Sequence, residues 1–161
     1  MQLWRGIIEG CKADDATQLA HNNLPAFYHS QMWRVMWPKD MTQEFMTEQL
    51  TKRMAHHVLL PNRDIRRHQK AVDAETHQVV GYARWRLPTS GATTSGGMPS
   101  WPDAQVPIVE FEQANAFEEM AKTSWWEPID MDDVDGPIYA ARDRLLGENP
   151  ILASGDYMGM M

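Results

Sequence analysis

Cysteine is almost absent from this chain, since Cys11 is the only one in 161 residues. A single thiol excludes an internal disulfide and a metal site built from several cysteines of one chain. Long hydrophobic runs are absent too, because no apolar stretch approaches the roughly 18 residues that a membrane-spanning helix needs. The N-terminus lacks the basic and then apolar pattern of a signal peptide. These absences predict a cytoplasmic protein with no membrane partner.

Positive charge is also scarce. Lys and Arg number 15 against 22 Asp and Glu, which gives a formal net charge of −7. This balance argues against non-specific nucleic-acid binding, because phosphate neutralisation requires a surplus of basic side chains. Residues 102–135 hold ten acids and one base, Lys122. A basic group precedes them at Arg63, Arg66, Arg67 and Lys70. The simplest interpretation of both groups is solvated surface, and mutual attraction is the alternative.

The length fits one domain, and the pattern predicts helices in its first half. A helix begins at Asp14 or Asp15, and we expect it to kink or restart at Pro25 before Phe27, because proline disturbs a helix interior. A second helix begins at a capping box of Asp40 and Gln43. Its apolar residues then recur every fourth position until Pro61, namely Met46, Leu50, Met54 and Val58.

The second half is predicted to contain a loop and two helices. Residues 89–107 hold twelve Gly, Ser, Thr or Pro in nineteen, which predicts a flexible insertion loop. Residues 110–126 show a helical pattern with acids in the first turn. A further helix is predicted from Pro137, with a stripe of Ile138, Ala141 and Leu145 that Gly147 ends.

Two β-type runs at 69–73 and 79–87 predict a hairpin. The residues between them, 74–78, are polar and suit a loop of about four or five residues. Alternation predicts that Val79, Gly81, Ala83, Trp85 and Leu87 share one face of the strand. It places Val80, Tyr82, Arg84 and Arg86 on the other face. Pro88 has no amide for a further ladder bond, so the strand is expected to stop there.

The hairpin sequence, Lys-Ala-Val-Asp at 70–73 with Val-Val-Gly-Tyr-Ala-Arg-Trp at 79–85 and Leu-Pro at 87–88, resembles the GNAT superfamily of N-acetyltransferases. The similarity is greatest to its fungal-type small-molecule branch. The upstream order is similar too, with a short strand at 3–8, the helix that ends at Phe27 and then a second helix. The resemblance implies an α/β (α+β) fold: the N-terminal part of a GNAT domain, with a mixed, mostly antiparallel sheet and flanking helices.

The cofactor of that family is acetyl-CoA. Its pyrophosphate is held at a helix N-terminus by a loop of the type Gln/Arg-x-x-Gly-x-Gly/Ala after the fourth strand. The letters of this pattern occur in the sequence at 78–83, but there they belong to the predicted hairpin, and no such loop opens a helix after a fourth strand. Aligned by order, residues 157–161 are the start of the fourth strand, so the resemblance implies that Met160 and Met161 come nearest to the cofactor. We therefore expect residues 1–161 to be a single, incomplete domain whose acetyl-CoA-binding half is missing and which is inactive alone.

The resemblance also implies where an acceptor, a small-molecule amine, would bind. In this family the connection between the first two helices and the third strand shape the acceptor pocket. The aromatic residues at these places are Phe27, Trp33, Trp37, Tyr82 and Trp85. A core role is the alternative for the three tryptophans, because aromatic side chains mostly serve burial.

Other chemistry finds little support in the sequence. His56 and His57 are adjacent on a predicted helix and point about 100° apart, which suits no shared metal ion, so no metal site is predicted. No spacing selects a general base among the many acids, and the catalytic residue is left unassigned. A second function is a non-catalytic interaction protein whose acidic 102–135 segment binds a basic partner. The unpaired edge of an incomplete sheet has to be covered, either by such a partner or by self-association.

Overall fold

A four-stranded antiparallel sheet organises the chain. The computed structural model describes residues 6–30, 37, 40–88, 91–125, 140, 144, 159 and 160. The strands are β1 (Gly6–Gly10), β2 (Arg66–Asp73), β3 (Val79–Arg86) and β4 (Gly159–Met160). They lie in the order β1-β2-β3-β4, and every pairing is antiparallel. The α+β class that the sequence predicts is therefore confirmed.

Three α-helices accompany this sheet in the described residues. They are α1 (Ala16–Phe27), α2 (Gln43–Arg53) and α3 (Phe111–Lys122). A 3-10 turn, Ala13–Asp15, leads into α1, and a π-helical turn, Met54–Leu59, extends α2. Of the helix predicted from Pro137, Ala140 and Arg144 are helical and the rest lies outside the described residues. None of the described helices is long and apolar enough to cross a membrane.

Helix α1 corrects one prediction. It does not restart at Pro25 but continues to Phe27, and the alternative of a kink at Pro25 stays a prediction. Pro25 lies in the last turn, so its missing amide removes one hydrogen bond close to the end of the helix, where few bonds depend on it. The buried face of the helix explains why the tertiary structure tolerates this loss. Leu19, Ala20 and Leu24 are completely buried.

The beginning of α2 corrects a second prediction, that of its capping residue. The N-cap is Thr42, whose hydroxyl accepts a hydrogen bond from the Phe45 amide at 3.2 Å, and the predicted cap Asp40 lies two residues earlier. Thr42 has the extended backbone that an N-cap requires. The predicted four-residue spacing is confirmed beyond the cap, because Met46, Leu50 and Met54 are buried.

The hydrophobic core lies between α1, α2 and one face of the sheet, which we call the helix face. Val79 and Tyr82 of β3 pack against it. Its buried members on the helices and their flanks are Cys11, Ala16, Leu19, Ala20, Leu24, Trp37, Met46, Leu50, Met54, Ala55, Leu59 and Val106.

A β-bulge changes the predicted faces of β3. Val72 pairs with Val79, whereas the preceding Ala71 pairs with Gly81, so Val80 is an extra residue on β3. Val79 therefore lies with Tyr82 on the helix face, and not with Trp85 as strict alternation predicts. The hairpin itself is confirmed, with 74–78 as its loop, and β2 begins earlier than predicted, at Arg66.

Residues 100–104 cover the opposite face of the sheet, which we call the loop face. Arg67 is fully buried and donates from Nε to the Ser100 carbonyl oxygen at 2.7 Å. Arg63 Nε donates to the Val106 carbonyl oxygen at 2.6 Å. These bonds hold part of the 89–107 segment on the sheet. The flexibility predicted for that segment stays a prediction.

Candidate functional site

A buried ion pair joins three elements at the edge of the helix face. Lys70 of β2 lies 2.6 Å from Asp15 Oδ1 in the 3-10 turn and 3.1 Å from Glu9 Oε1 in β1. Burial lowers the pKa of Lys70, but its hydrogen bonds to Asp15 and Glu9 outweigh this effect and raise it overall. The ammonium group is thus held charged between two carboxylates, and its role is to join the strands.

Next to this ion pair, His68 and Tyr82 form a buried polar pair. His68 Nδ1 lies 2.8 Å from the Tyr82 hydroxyl, and His68 Nε2 is buried without a hydrogen-bond partner. Burial is the main cause that lowers the pKa of His68 to about 4, and Arg84 and Arg66 add to it. Burial also raises the pKa of Tyr82. Both rings are therefore neutral near pH 7.

Cys11 follows β1 and is buried against the same core. Burial, with the negative charge of Asp15, raises the pKa of its thiol to about 12. A nucleophilic cysteine requires the thiolate form and access to solvent. Cys11 has neither, so its place in the molecule is structural.

Three arginines lie on the helix face where β2 begins and β3 ends. Arg66 pairs directly with Arg86 across the two strands, and Arg84 pairs with His68. Arg66 and Arg84 are partly buried, and Arg86 is exposed. Burial lowers the pKa of Arg66, and the charges of Arg84 and Arg86 lower it further. The three guanidinium groups therefore form one field of positive charge, which we call the arginine face.

A groove of about 420 Å³ opens between α1 and α2. Its α1 side is formed by His21 and Pro25. Its α2 side is formed by Gln43, Glu44, Thr47, Glu48 and Thr51. The two threonine hydroxyls donate to the carbonyl oxygens four residues earlier, each at 2.8 Å, so they are already engaged. Glu48 is paired with Lys52, so Gln43, Glu44 and His21 are the groups that remain for a ligand.

The aromatic residues predicted for the acceptor pocket lie in different places. Phe27 ends α1 and is 47% exposed, whereas Trp37 is buried in the core and stacks on Trp125 at 5.7 Å between ring centroids. Tyr82 lies on the helix face, whereas Trp85 lies on the loop face, 5.9 Å from Trp101. The structure therefore does not bring Tyr82 and Trp85 together.

The remaining predicted site residues lie at or beyond the limits of the description. Trp33 and Met161 are outside the described residues. Met160 belongs to β4, where it pairs with Trp85 of β3. The predicted fourth strand at the end of the chain is thus present at residues 159 and 160, next to the hairpin.

Sequence reasoning missed the groove. For the arginine face, alternation predicted that Arg84 and Arg86 share one side of β3, but it missed that Arg66 lies opposite Arg86. The groove carried a signal, because Glu44 and Glu48, like Gln43, Thr47 and Thr51, recur at the four-residue spacing of one helix side. The grouping of the arginines depends on strand register, which the local pattern did not define. No group of three or more metal-ligating side chains occurs in the part of the chain that the structure describes.

Neither a protein-family model nor a curated protein nor a solved structure matches this chain.

Proposed function

We propose that this chain forms the acceptor side of a GNAT-type N-acetyltransferase, which transfers the acetyl group of acetyl-CoA to an amine. The observation that carries the proposal is the order of the elements. A helix pair, α1 and α2, lies between β1 and β2, and β3 and β4 then continue one antiparallel sheet. The resemblance of the hairpin sequence to GNAT proteins implies the same order.

The groove between α1 and α2 is the acceptor site in this proposal. It is lined by Pro25 near the end of α1 and Gln43 at the start of α2, and in the family the connection between these two helices shapes the acceptor pocket. A protonated amine is attracted by carboxylates, and the groove offers two. Glu48 is paired with Lys52 at 2.6 Å, whereas no cation pairs with Glu44 among the described residues. Glu44 is therefore the carboxylate that binds the ammonium group.

Acetyl transfer of this kind requires few catalytic groups from the protein besides those that orient the reactants. In the family the amine attacks the thioester directly, so the protein supplies orientation, a donor to the developing oxyanion and a proton acceptor. The groove supplies the first of these for the amine. Residues 78–83 match the pattern Gln/Arg-x-x-Gly-x-Gly/Ala, but they belong to the hairpin and β3, so they are not a loop at a helix N-terminus for the phosphates of acetyl-CoA.

Amine binding is the first test. Primary amines titrated into the isotope-labelled chain should shift amide NMR signals on both sides of the groove, at His21 and Thr47. Glu44→Gln should weaken this binding about tenfold, because an interaction with a charged group is lost. Glu75→Gln, in the exposed hairpin turn, is the matched control and should bind as the wild type does. Equal affinity in Glu44→Gln and wild type would remove the acceptor site from the groove.

Acetyl-CoA binding is the second test. Calorimetric titration should show no binding at micromolar concentration, since the sequence lacks the phosphate-binding loop. Micromolar affinity would mean that these 161 residues contain a cofactor site of another kind. The amine titration and the acetyl-CoA titration are independent, so each part of the proposal can fail separately.

A second candidate function is an interaction protein, and the exposure of α3 favours it. The helix begins with Phe111, which is 78% exposed, and Ile108 just before it is 81% exposed. Glu112, Glu118 and Glu119 give the same helix negative charge. An apolar and acidic surface of this kind fits a basic, partly apolar peptide. If this function is correct, Phe111→Ser should abolish peptide binding without changing the amine titration.

A further inference from the structure

We infer that the arginine face, formed by Arg66, Arg84 and Arg86, binds the phosphate group of a small ligand. This inference does not depend on the proposed acetyl transfer. It concerns the sheet, whereas the groove lies between α1 and α2.

The first argument is the pairing. Arg66 and Arg86 are direct cross-strand partners, and Arg84 is the next residue of β3 on the same side. Like charges directly opposite each other destabilise a sheet, because their side chains lie within a few ångströms. An arrangement that brings three guanidinium groups together is stabilised when an anion lies between them.

The second argument is the lack of acidic partners. No ion pair joins any of the three arginines to a carboxylate of the described residues, although the chain carries 22 acids. By contrast, Lys52, Lys70 and Lys122 each lie within 3.1 Å of a carboxylate oxygen. The arginine face therefore differs from these three lysines in having no carboxylate partner among the described residues.

The third argument is the environment. His68 lies opposite Arg84 on β2, is 1% exposed and has Nε2 buried without a partner. Arg66 and Arg84 are themselves partly buried, so their charge is less screened than that of exposed side chains. A buried neutral ring and three cations leave a positive potential that an anion would reduce.

The charge and shape of the groups indicate the class of anion. Guanidinium groups bind oxyanions through paired N–H donors, and phosphate offers three acceptor oxygens to several of them at once. A phosphomonoester carries a charge of about −1.5 to −2 at pH 7, whereas a carboxylate carries −1. Three unpaired positive charges therefore favour a phosphomonoester over a single carboxylate.

Calorimetric titration of the 161-residue chain tests the inference. The probes are inorganic phosphate, methyl phosphate, acetate and acetyl-CoA, at a constant ionic strength set with sodium chloride. Phosphate and methyl phosphate should bind, and acetate should bind at least tenfold more weakly. Binding of acetyl-CoA as well would identify the cofactor as one source of the phosphate. Binding of only the two simple phosphates would place the phosphate on another ligand.

Variants then locate the site. Arg84→Gln and Arg86→Gln should each weaken phosphate binding at least about tenfold, because each removes charge-assisted hydrogen bonds. Lys122→Gln removes an exposed cation on α3, outside the sheet, and should leave the affinity unchanged. In phosphate-free buffer Arg86→Gln should be at least as stable as the wild type, since repulsion with Arg66 is relieved. Unchanged binding in both arginine variants, or no phosphate binding by the wild type, would overturn the inference.

Discussion

Single residues determine how closely the loop face can be covered. Gly10 of β1 lies against the 3-10 turn Pro102–Ala104, and an added Cβ would overlap the carbonyl oxygen of Asp103. The overlap is with backbone, which cannot rotate away as a flexible side chain does. We therefore predict that Gly10→Ala destabilises the protein by about 1–3 kcal/mol, the usual cost of overpacking.

Urea unfolding measures this cost, and Gly96 provides the control. A Cβ at Gly96 would meet only the Thr94 hydroxyl, at 3.9 Å. Gly96→Ala should therefore leave the unfolding midpoint nearly unchanged. Equal midpoints for both variants would contradict the close approach of the 3-10 turn to β1.

The lowered pKa of one residue, His68, predicts that the stability of the protein depends on pH. Its pKa falls from 6.5 to about 4 on folding, chiefly through burial. The unfolded chain therefore binds more protons between these pH values, and the contribution of neutral His68 to stability is lost as the pH falls from 6.5 towards 4. The slope in this window approaches about 1.4 kcal/mol per pH unit.

Urea unfolding at pH 7 and pH 5 should show this loss in the wild type. His68→Gln cannot titrate, so its stability should differ less between the two pH values. His29→Gln, at an exposed position, should follow the wild type. An equal loss in His68→Gln and wild type would assign the pH dependence to other groups.

At the scale of elements, the structure and the sequence prediction differ in the residue that caps α2. Thr42 accepts the Phe45 amide, whereas Asp40 precedes the helix without a capping bond in the described structure. Thr42→Ala should therefore lower the free energy of unfolding by about 1 kcal/mol. Asp40→Ala should change it by less than about 0.5 kcal/mol, as at ordinary surface sites.

Chemical denaturation of the two variants distinguishes these caps. The comparison is well matched, because both residues are polar and lie within three positions of the same helix start. A larger effect of Asp40→Ala would restore the capping box that the sequence predicts.

The elements also show how far sequence reasoning reaches. The spacing of Met46, Leu50 and Met54 predicts the buried face of α2 because packing periodicity is local. The arginine face depends instead on residues twenty positions apart. If the pairing of Val72 with Val79 continued without the bulge, Arg66 would lie opposite Trp85. No local pattern marks Val80 as the extra residue, since both valines suit a strand.

At the scale of the whole molecule, the open edge of the sheet is the main feature. Among the described residues β1 has a neighbour only in β2, and its Ile7 and Ile8 are 51% and 58% exposed. An edge of this kind can pair with another chain. We therefore predict concentration-dependent dimers in sedimentation velocity, and fewer dimers for Ile8→Lys, because a charge at the edge opposes strand pairing.

Met98→Lys is the control for this prediction. Met98 is 66% exposed and lies outside the strands β1–β4. The Met98→Lys variant should therefore form dimers to the same extent as the wild type. A wild type that stays monomeric at all concentrations would mean that this edge needs no cover.

The bulge of β3 has a consequence for insertions and deletions. Val80 has no partner of its own in the ladder, and its neighbours Val79 and Gly81 pair with the consecutive residues Val72 and Ala71. Removal of Val80 would close the ladder and keep every other pairing, although the local twist would decrease. The chain can therefore lose one residue at this point of β3 without exchanging the side chains of its two faces, whereas a deletion between Gly81 and Trp85 would exchange them.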